Sequence, residues 1–324
     1  MPTDEGRARS RVRVPRGMAD RAREFAAAGL RPAVPRDAAT VILVRPETGP
    51  ETAPATAPEI EPETAPATAR EMETAGVEVY LLLRTQALEF APGACVFPGG
   101  SVDARDADPS IAETGWTGPA AADFGHLLGV PADRARALVC AAVRETFEES
   151  GVLLAGPSPA ELVPDSADLA QDRRALLDGS LSLSELLSRR GLLLRADLLT
   201  PWARWITPEV SPRRFDTWFF AAALPAGQLA GLAPADQLAG QAATGPGESD
   251  SGTWWRPAAA LEAARAGQIT LLPPTAVTLA ELAAYQDVAG ILGERRMITP
   301  LLPKVVVEDE RAWLAMPHAI EYPL

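Results

Sequence analysis

The stretch "RETFEESGV", residues 144–152, sets three glutamates and an arginine within nine positions. Like charges at helical spacing destabilise a helix, so something must offset Glu145, Glu148 and Glu149. The sequence around them reads as one helix from Pro131 to Ser150. Pro131 suits a first helical turn, and Gly151 suits a C-terminal stop. Ala135, Val139, Ala142, Val143, Thr146 and Phe147 recur at the helical period. On a wheel of about 100° per residue, Val139, Val143, Thr146 and Phe147 share one stripe, and the three glutamates gather on the opposite side. The expectation is a helix with one buried face and three carboxylates facing away from the core. Arg144 can pair with Glu148, but nothing on the helix offsets Glu145 and Glu149 together. Two readings remain: a solvated acidic face, or a cluster neutralised by a divalent cation such as Mg²⁺, which takes carboxylate oxygens at about 2.1 Å.

Upstream stands "FPGG", residues 97–100. A Gly-Gly turn lets backbone approach a ligand or metal closely. Together, "FPGG … RETFEESGV" resembles the signature of the Nudix hydrolases. Gly100 takes the first position of that box, and Asp106 stands where a Glu is usual. Arg144, Glu145, Glu148, Glu149, Gly151 and Val152 match its second half, with Thr146 at a usually apolar position. Between Asp106 and Arg144 lie 37 residues in place of seven, a split box with residues 107–130 inserted where loops tolerate additions. The split, with "AATVILVRP", "GACVFPGG", "TPWARWITPEVSPRRFDTWFF" and "LLPPTAVTLAEL" in order, resembles the organelle-type coenzyme A diphosphatases.

The resemblance implies an α/β fold: a Nudix αβα sandwich around a mixed β-sheet, with a C-terminal helical extension. It implies hydrolysis of a diphosphate in a nucleoside-diphosphate derivative, with coenzyme A or an acyl thioester of it as favoured substrate. NADH, ADP-ribose and a non-catalytic nucleotide sensor are the alternatives. By the same resemblance, Glu145, Glu148, Glu149 and the Gly100 carbonyl hold Mg²⁺ or Mn²⁺. Either Glu145 or Glu149 serves as general base, and Arg144 orients the glutamates. Arg84, Arg213 and Arg214 are weaker candidates for substrate phosphate, because an acidic chain needs local positive charge to hold a polyanion. The branch's second upstream arginine is replaced here by Glu89 or its neighbours. Glu248 is a further acid whose simpler reading is an exposed loop charge. Trp202, Trp205 and Trp218 read as core tryptophans before adenine-stacking ones.

Outward from the box, "AATVILVRP" (38–46) and "VEVYLLLRT" (77–85) read as strands, neighbours across a long insertion because loop closure costs little per added residue. That insertion, 46–75, repeats "ETAPATA" and is rich in Pro, Ala, Thr and Glu, so it reads as a disordered acidic linker. Residues 216–225 and 253–257 read as strands, 240–252 as a mobile loop, and 257–268 and 273–288 as helices. The expected division is a flexible leader (1–37) with a short helix around Ala19–Ala28, the catalytic domain (38–290) and a C-terminal extension (291–324).

The chain has 324 residues, 47% of them hydrophobic, enough for a sizeable core. Its net charge of −13 argues against nucleic-acid binding. Cys95 and Cys140 are the only cysteines, no disulfide framework, which fits a cytoplasmic setting. With only His126 and His318, a histidine metal site is not expected. The Arg-rich N-terminus lacks the apolar core of a secretory signal, and no run of apolar residues is long enough to span a membrane. The partner expected is a small-molecule nucleotide; the sequence leaves a homodimer open.

Overall fold

The β-branched run starting at Ala38 forms the spine of the fold. In the computed structural model, which describes residues 11–14, 16–48, 76–85, 93–231, 249–308, 311–317 and 320–324, strand β1 covers Arg36–Pro46. The remaining strands of its sheet are β2 (Val77–Arg84), β3 (Ala94–Val96), β4 (Gly99–Ser101), β5 (Thr200–Ile206), β6 (Phe215–Ala223), β7 (Ser249–Trp255), β8 (Thr270–Leu271) and β9 (Pro300–Leu301). They follow the order β8-β3-β2-β1-β6-β5-β9, with β7 on β2 and β4 on β1. The β1–β6 pair is parallel, and its neighbours β1–β2 and β6–β5 are antiparallel. The sheet is therefore mixed, as expected, and β1 and β2 are indeed joined as neighbours across the acidic insertion.

Both faces of the sheet are buried, which is why β1 and β6 read as continuous apolar runs. Ala39, Val41, Leu43, Tyr80, Leu82, Trp218 and Phe220 point to one face. Ile42, Val44, Val79, Leu81, Phe219 and Ala221 point to the other, as period-2 geometry requires. Helices α1 (Ala121–Leu128) and α2 (Ala132–Ser150) cover the first face. Helices α3 (Pro257–Arg265) and α4 (Pro273–Leu282) cover the second. The result is the αβα sandwich, with C-terminal helices packed on the core.

Helix α2 follows the sequence signals at both ends. Pro131 precedes it, and Gly151 ends it at φ +76°, with its N–H donating to the Phe147 carbonyl. One expectation fails. The helix is not two-sided: Arg144 and Glu148 are buried along with Val139, Val143 and Phe147, while Glu145 and Glu149 are half-buried. Strand β4, the turn at Ala104–Ala107 and the helix Ala170–Leu177 wrap the side expected to face solvent.

Gly99 and Gly100 also differ from expectation. They form a short strand on the first half of β1, not a turn, and Ala39 is the register partner of Gly100. A Cβ on Gly99 would sit 2.5 Å from the Ala39 carbonyl oxygen, so close approach of two backbones demands glycine there.

The leader holds a helix where one was expected, and a strand as well. Arg11–Arg13 pairs with the strand Arg311–Ala315, which pairs in turn with Lys304–Glu308, and a helix spans Arg16–Ala28. The C-terminal extension thus includes strands that gather in the N-terminus. The inserted 107–130 carries Ser110–Thr114 and α1. The acidic repeat (49–75), Glu89, Glu248, the 240–248 loop and His318 lie outside the described residues. No helix among the described residues is long and apolar enough to cross a membrane.

Candidate active site

The two halves of the split box meet at Arg144. Its guanidinium takes the Asp106 carboxylate in a bidentate grip, with Nε and Nη2 each 2.9 Å from an oxygen. Asp106 is 2% exposed. It is held in place by a second bond, from the Asp103 N–H at 2.8 Å, inside a capping box on the turn that follows β4. Arg144 also donates through Nη1 to Glu145 at 2.9 Å and Glu148 at 3.0 Å, and through Nη2 to the Ser101 carbonyl of β4 at 2.9 Å. One side chain therefore ties the helix, the first half of the box and β4 together, and the 37-residue separation in sequence is closed in space.

The fourth acid is tied separately. Glu149 accepts the Gly99 N–H at 2.7 Å. Gly100 lies against Glu145: a Cβ there would come within 2.5 Å of the carboxylate. The C-terminal end of α2 is joined by Arg173, a buried arginine whose Nε donates to the Glu148 carbonyl at 2.9 Å. A guanidinium at that position also suits the negative end of the helix dipole. Thr146 and Ser150, apolar-face positions carrying hydroxyls, satisfy them by donating back to the Ala142 and Thr146 carbonyls.

Charge in this cluster is lopsided. Three carboxylates contact one guanidinium, and Arg105, the next cation on the rim, already holds Asp103 at 3.0 Å. Burial, only partly offset by Arg144 and reinforced by Glu148, pushes the Glu145 carboxyl up to about 7. Burial likewise raises Glu148, against the pull of Arg144. Arg144 itself stays charged: burial works against it, but Asp106 and the glutamates raise its pKa further.

Among the described residues, no three His, Cys, Asp or Glu side chains form a ready cation cage. Arg144 stands between Glu145 and Glu148, and Glu149 turns to β4. The donor chemistry nonetheless suits a hard divalent ion: carboxylate oxygens in excess of positive charge, beside a glycine whose missing Cβ keeps the Glu145 carboxylate accessible to backbone.

The weaker candidates separate. Arg84 ends β2 on the same face as Tyr80 and Leu82, the face that α2 covers. Arg214 is 7% exposed and donates to the Thr207 and Ala33 carbonyls, at 3.0 and 2.8 Å. Arg213 is exposed beside it, where β6 begins opposite Arg36 and near the start of α2, away from the glutamates. The three tryptophans are buried, Trp202 donating to Glu281 at 2.9 Å. Arg173 carried no signal in the sequence, because its segment has no motif and reaches the site only through the fold.

Residues 118–282, just over half of the chain, match the family model described as the NUDT19 Nudix domain. The chain belongs to that family. The matched segment starts downstream of Gly100 and Asp106, so the first half of the Nudix box joins it through the Arg144 contacts. The chain is similar to acyl-coenzyme A diphosphatase NUDT19 of Xenopus laevis, 27% identical over 251 residues, covering 68% of this chain and 63% of that one. It is 30% identical over 182 residues to the protein of the same name in Gallus gallus, covering 45% and 48%. A putative nudix hydrolase 7 of Caenorhabditis elegans is 32% identical over 211 residues, covering 64% and 57%. The chain thus spans less than two thirds of the length of these relatives. The crystal structure of a NUDIX hydrolase from Alicyclobacillus acidocaldarius shares the fold, with a TM-score of 0.56 at 24% identity over 82% of this chain and 98% of that one.

Proposed function

We propose that this Nudix protein is a divalent-cation-dependent hydrolase that cleaves the diphosphate of coenzyme A or an acyl thioester of it. The products are 3′,5′-ADP and 4′-phosphopantetheine or its acylated form. The observation that carries the reading is the unbalanced acidic cluster formed where the split box closes: Asp106, Glu145 and Glu148 on a single guanidinium, with Glu149 alongside. The names of the vertebrate relatives supply the substrate class.

Glu145, Glu148, Glu149 and the Gly100 carbonyl would hold Mg²⁺ or Mn²⁺. When bound, such an ion neutralises the diphosphate oxygens and makes a bound water more acidic. Arg144 positions the glutamates through charge-assisted hydrogen bonds, and Asp106 keeps it neutralised when they turn to a cation. Water attacks one phosphorus, the P–O–P bridge breaks, and the bridging oxygen leaves on the other phosphate. Either Glu145 or Glu149 accepts the proton of that water on a carboxylate oxygen. Arg84 stands at the strand end to meet a phosphate.

Purified protein with Mg²⁺ or Mn²⁺ would be offered coenzyme A, acetyl-coenzyme A, NADH and ADP-ribose, with products identified by mass spectrometry. Release of 3′,5′-ADP only from the coenzyme A compounds is the expected result. Cleavage confined to NADH or ADP-ribose moves the substrate. Cation and nucleotide binding without any cleavage would favour a sensor and overturn the enzymatic reading.

A further inference from the structure

The small sheet built from the two ends of the chain has Arg311–Ala315 in the middle, with Arg11–Arg13 on one side and Lys304–Glu308 on the other. Among the described residues, no strand pairs with the outer edge of Lys304–Glu308. Which groups face that edge follows from the alternation of an antiparallel ladder. The Ala312 carbonyl accepts the Val14 N–H at 3.2 Å, so Ala312 and Leu314 turn their backbone groups toward the N-terminal strand. Arg311, Trp313 and Ala315 then turn theirs to Glu308, Val306 and Lys304, their register partners. Val305 and Val307 are left with N–H and C=O groups pointing outward.

An open edge is a template for a further strand, and charged side chains commonly blunt it. Here the charges do something else. Lys304, the only lysine of the chain, and Glu308 are exposed at the two ends of the strand. They have opposite signs and stand symmetrically about Val306, so an antiparallel copy of the same strand meets them as complements. All three side chains share one face, while Val305 and Val307 share the other with the buried Ala312 and Leu314. The neighbouring register on the N-terminal side is blocked, because it sets Pro303, which has no N–H, against the outward groups of Val307. The edge is thus complementary to itself in one register.

We propose that Lys304–Glu308 is a homodimer interface: two copies pair antiparallel about a two-fold axis at Val306 and join their three-stranded sheets into one. Val305 of one copy and Val307 of the other exchange backbone hydrogen bonds, and the two Val306 side chains meet at the axis. Lys304 stands opposite Glu308 of the second copy at both ends. Arg311, the register partner of Glu308 within its own chain, continues that row with alternating sign. Light scattering on the full chain over a concentration series should give twice the monomer mass. Lys304→Glu and Glu308→Lys each set like charges opposite one another twice, and each should weaken the dimer about 10- to 100-fold. The double exchange should restore it, which a misfolded variant could not do. Carbodiimide coupling, which joins an amine directly to a carboxylate, gives a second readout. Within one strand the two residues are about 13 Å apart, too far for an amide, whereas residues directly opposite have Cβ atoms about 5 Å apart. An amide between Lys304 and Glu308, found by mass spectrometry in the dimer-sized band, is the expected product. A chain that stays monomeric throughout the series overturns the proposal. So does a dimer that both single variants leave unchanged, or one that the double exchange fails to restore.

Discussion

Helix α2 carries two arginine–carboxylate clusters about ten residues apart, roughly 15 Å along its axis, and they differ in one respect. At its start, Arg134 grips Asp37 at 2.8 and 2.6 Å and reaches Asp216 at 3.4 Å, while Arg204 of β5 grips Asp216 at 2.8 and 2.7 Å. Two guanidiniums meet two carboxylates, and both lie over the buried Trp218 ring, at 4.7 and 4.4 Å from its centre. The charge is closed. Near its end, the ion pairs among the described residues set Arg144 against Asp106, Glu145 and Glu148. The same helix and the same residue types thus build a finished structural joint at one end and an open one at the other. Excess buried charge, not the presence of ion pairs, separates the candidate site from its scaffold.

The largest effect expected is at the open cluster. Arg144→Met strands buried carboxylates without a counter-charge, a loss of about 3–5 kcal/mol of stability, read by chemical denaturation. If Arg144→Met cost no more than a surface change, the guanidinium would not be the joint that closes the split box. A divalent cation comes next. Ions that bind only the folded chain stabilise it by about 2.7 kcal/mol at a hundredfold excess over Kd. Thermal melting with and without Mn²⁺ should show a clear rise in wild type. Absence of any rise would remove the cation from the cluster.

Then the closed cluster. Asp216→Asn breaks the bidentate grip of Arg204 and the reach of Arg134, at a cost of about 1.5–3 kcal/mol. Its Mn²⁺-induced rise in melting temperature should match that of wild type. If that rise vanished, the two clusters would be one electrostatic unit, and the contrast between them would fail.

The contrast also measures how far the sequence could be read. The helix, its ends, the Glu and Arg positions and the paired strands β1 and β2 are local patterns, and period and punctuation report them directly. The split box is not local. Asp106 enters by its place in a family pattern, but its grip on Arg144 depends on how 37 residues fold back. A helical wheel divides a helix into core and solvent, whereas α2 is wrapped by β4 and by the helix Ala170–Leu177, so carboxylates expected in water are partly buried. Arginines in a loop look alike in sequence; that Arg214 donates to two carbonyls while Arg213 is exposed is decided by where the loop crosses Ala33. The three-residue strand Arg11–Arg13 carries no pattern at all, because its partner lies at the far end of the chain.

The smallest change in stability should come from Glu149→Gln, and it tests the open cluster most finely. Glu149 is half-buried and accepts a bond from the Gly99 N–H. Glutamine keeps an acceptor oxygen of the same reach, so β4 should stay docked and stability should change by less than about 1 kcal/mol. What glutamine lacks is the negative charge. The variant should therefore lose part of the Mn²⁺-induced rise in melting temperature and most of any turnover. The two losses belong together: a carboxylate that only fastened β4 would leave both intact. If Glu149→Gln instead melted several degrees early without cation, its charge would belong to the scaffold, and the open cluster would shrink to Asp106, Glu145 and Glu148.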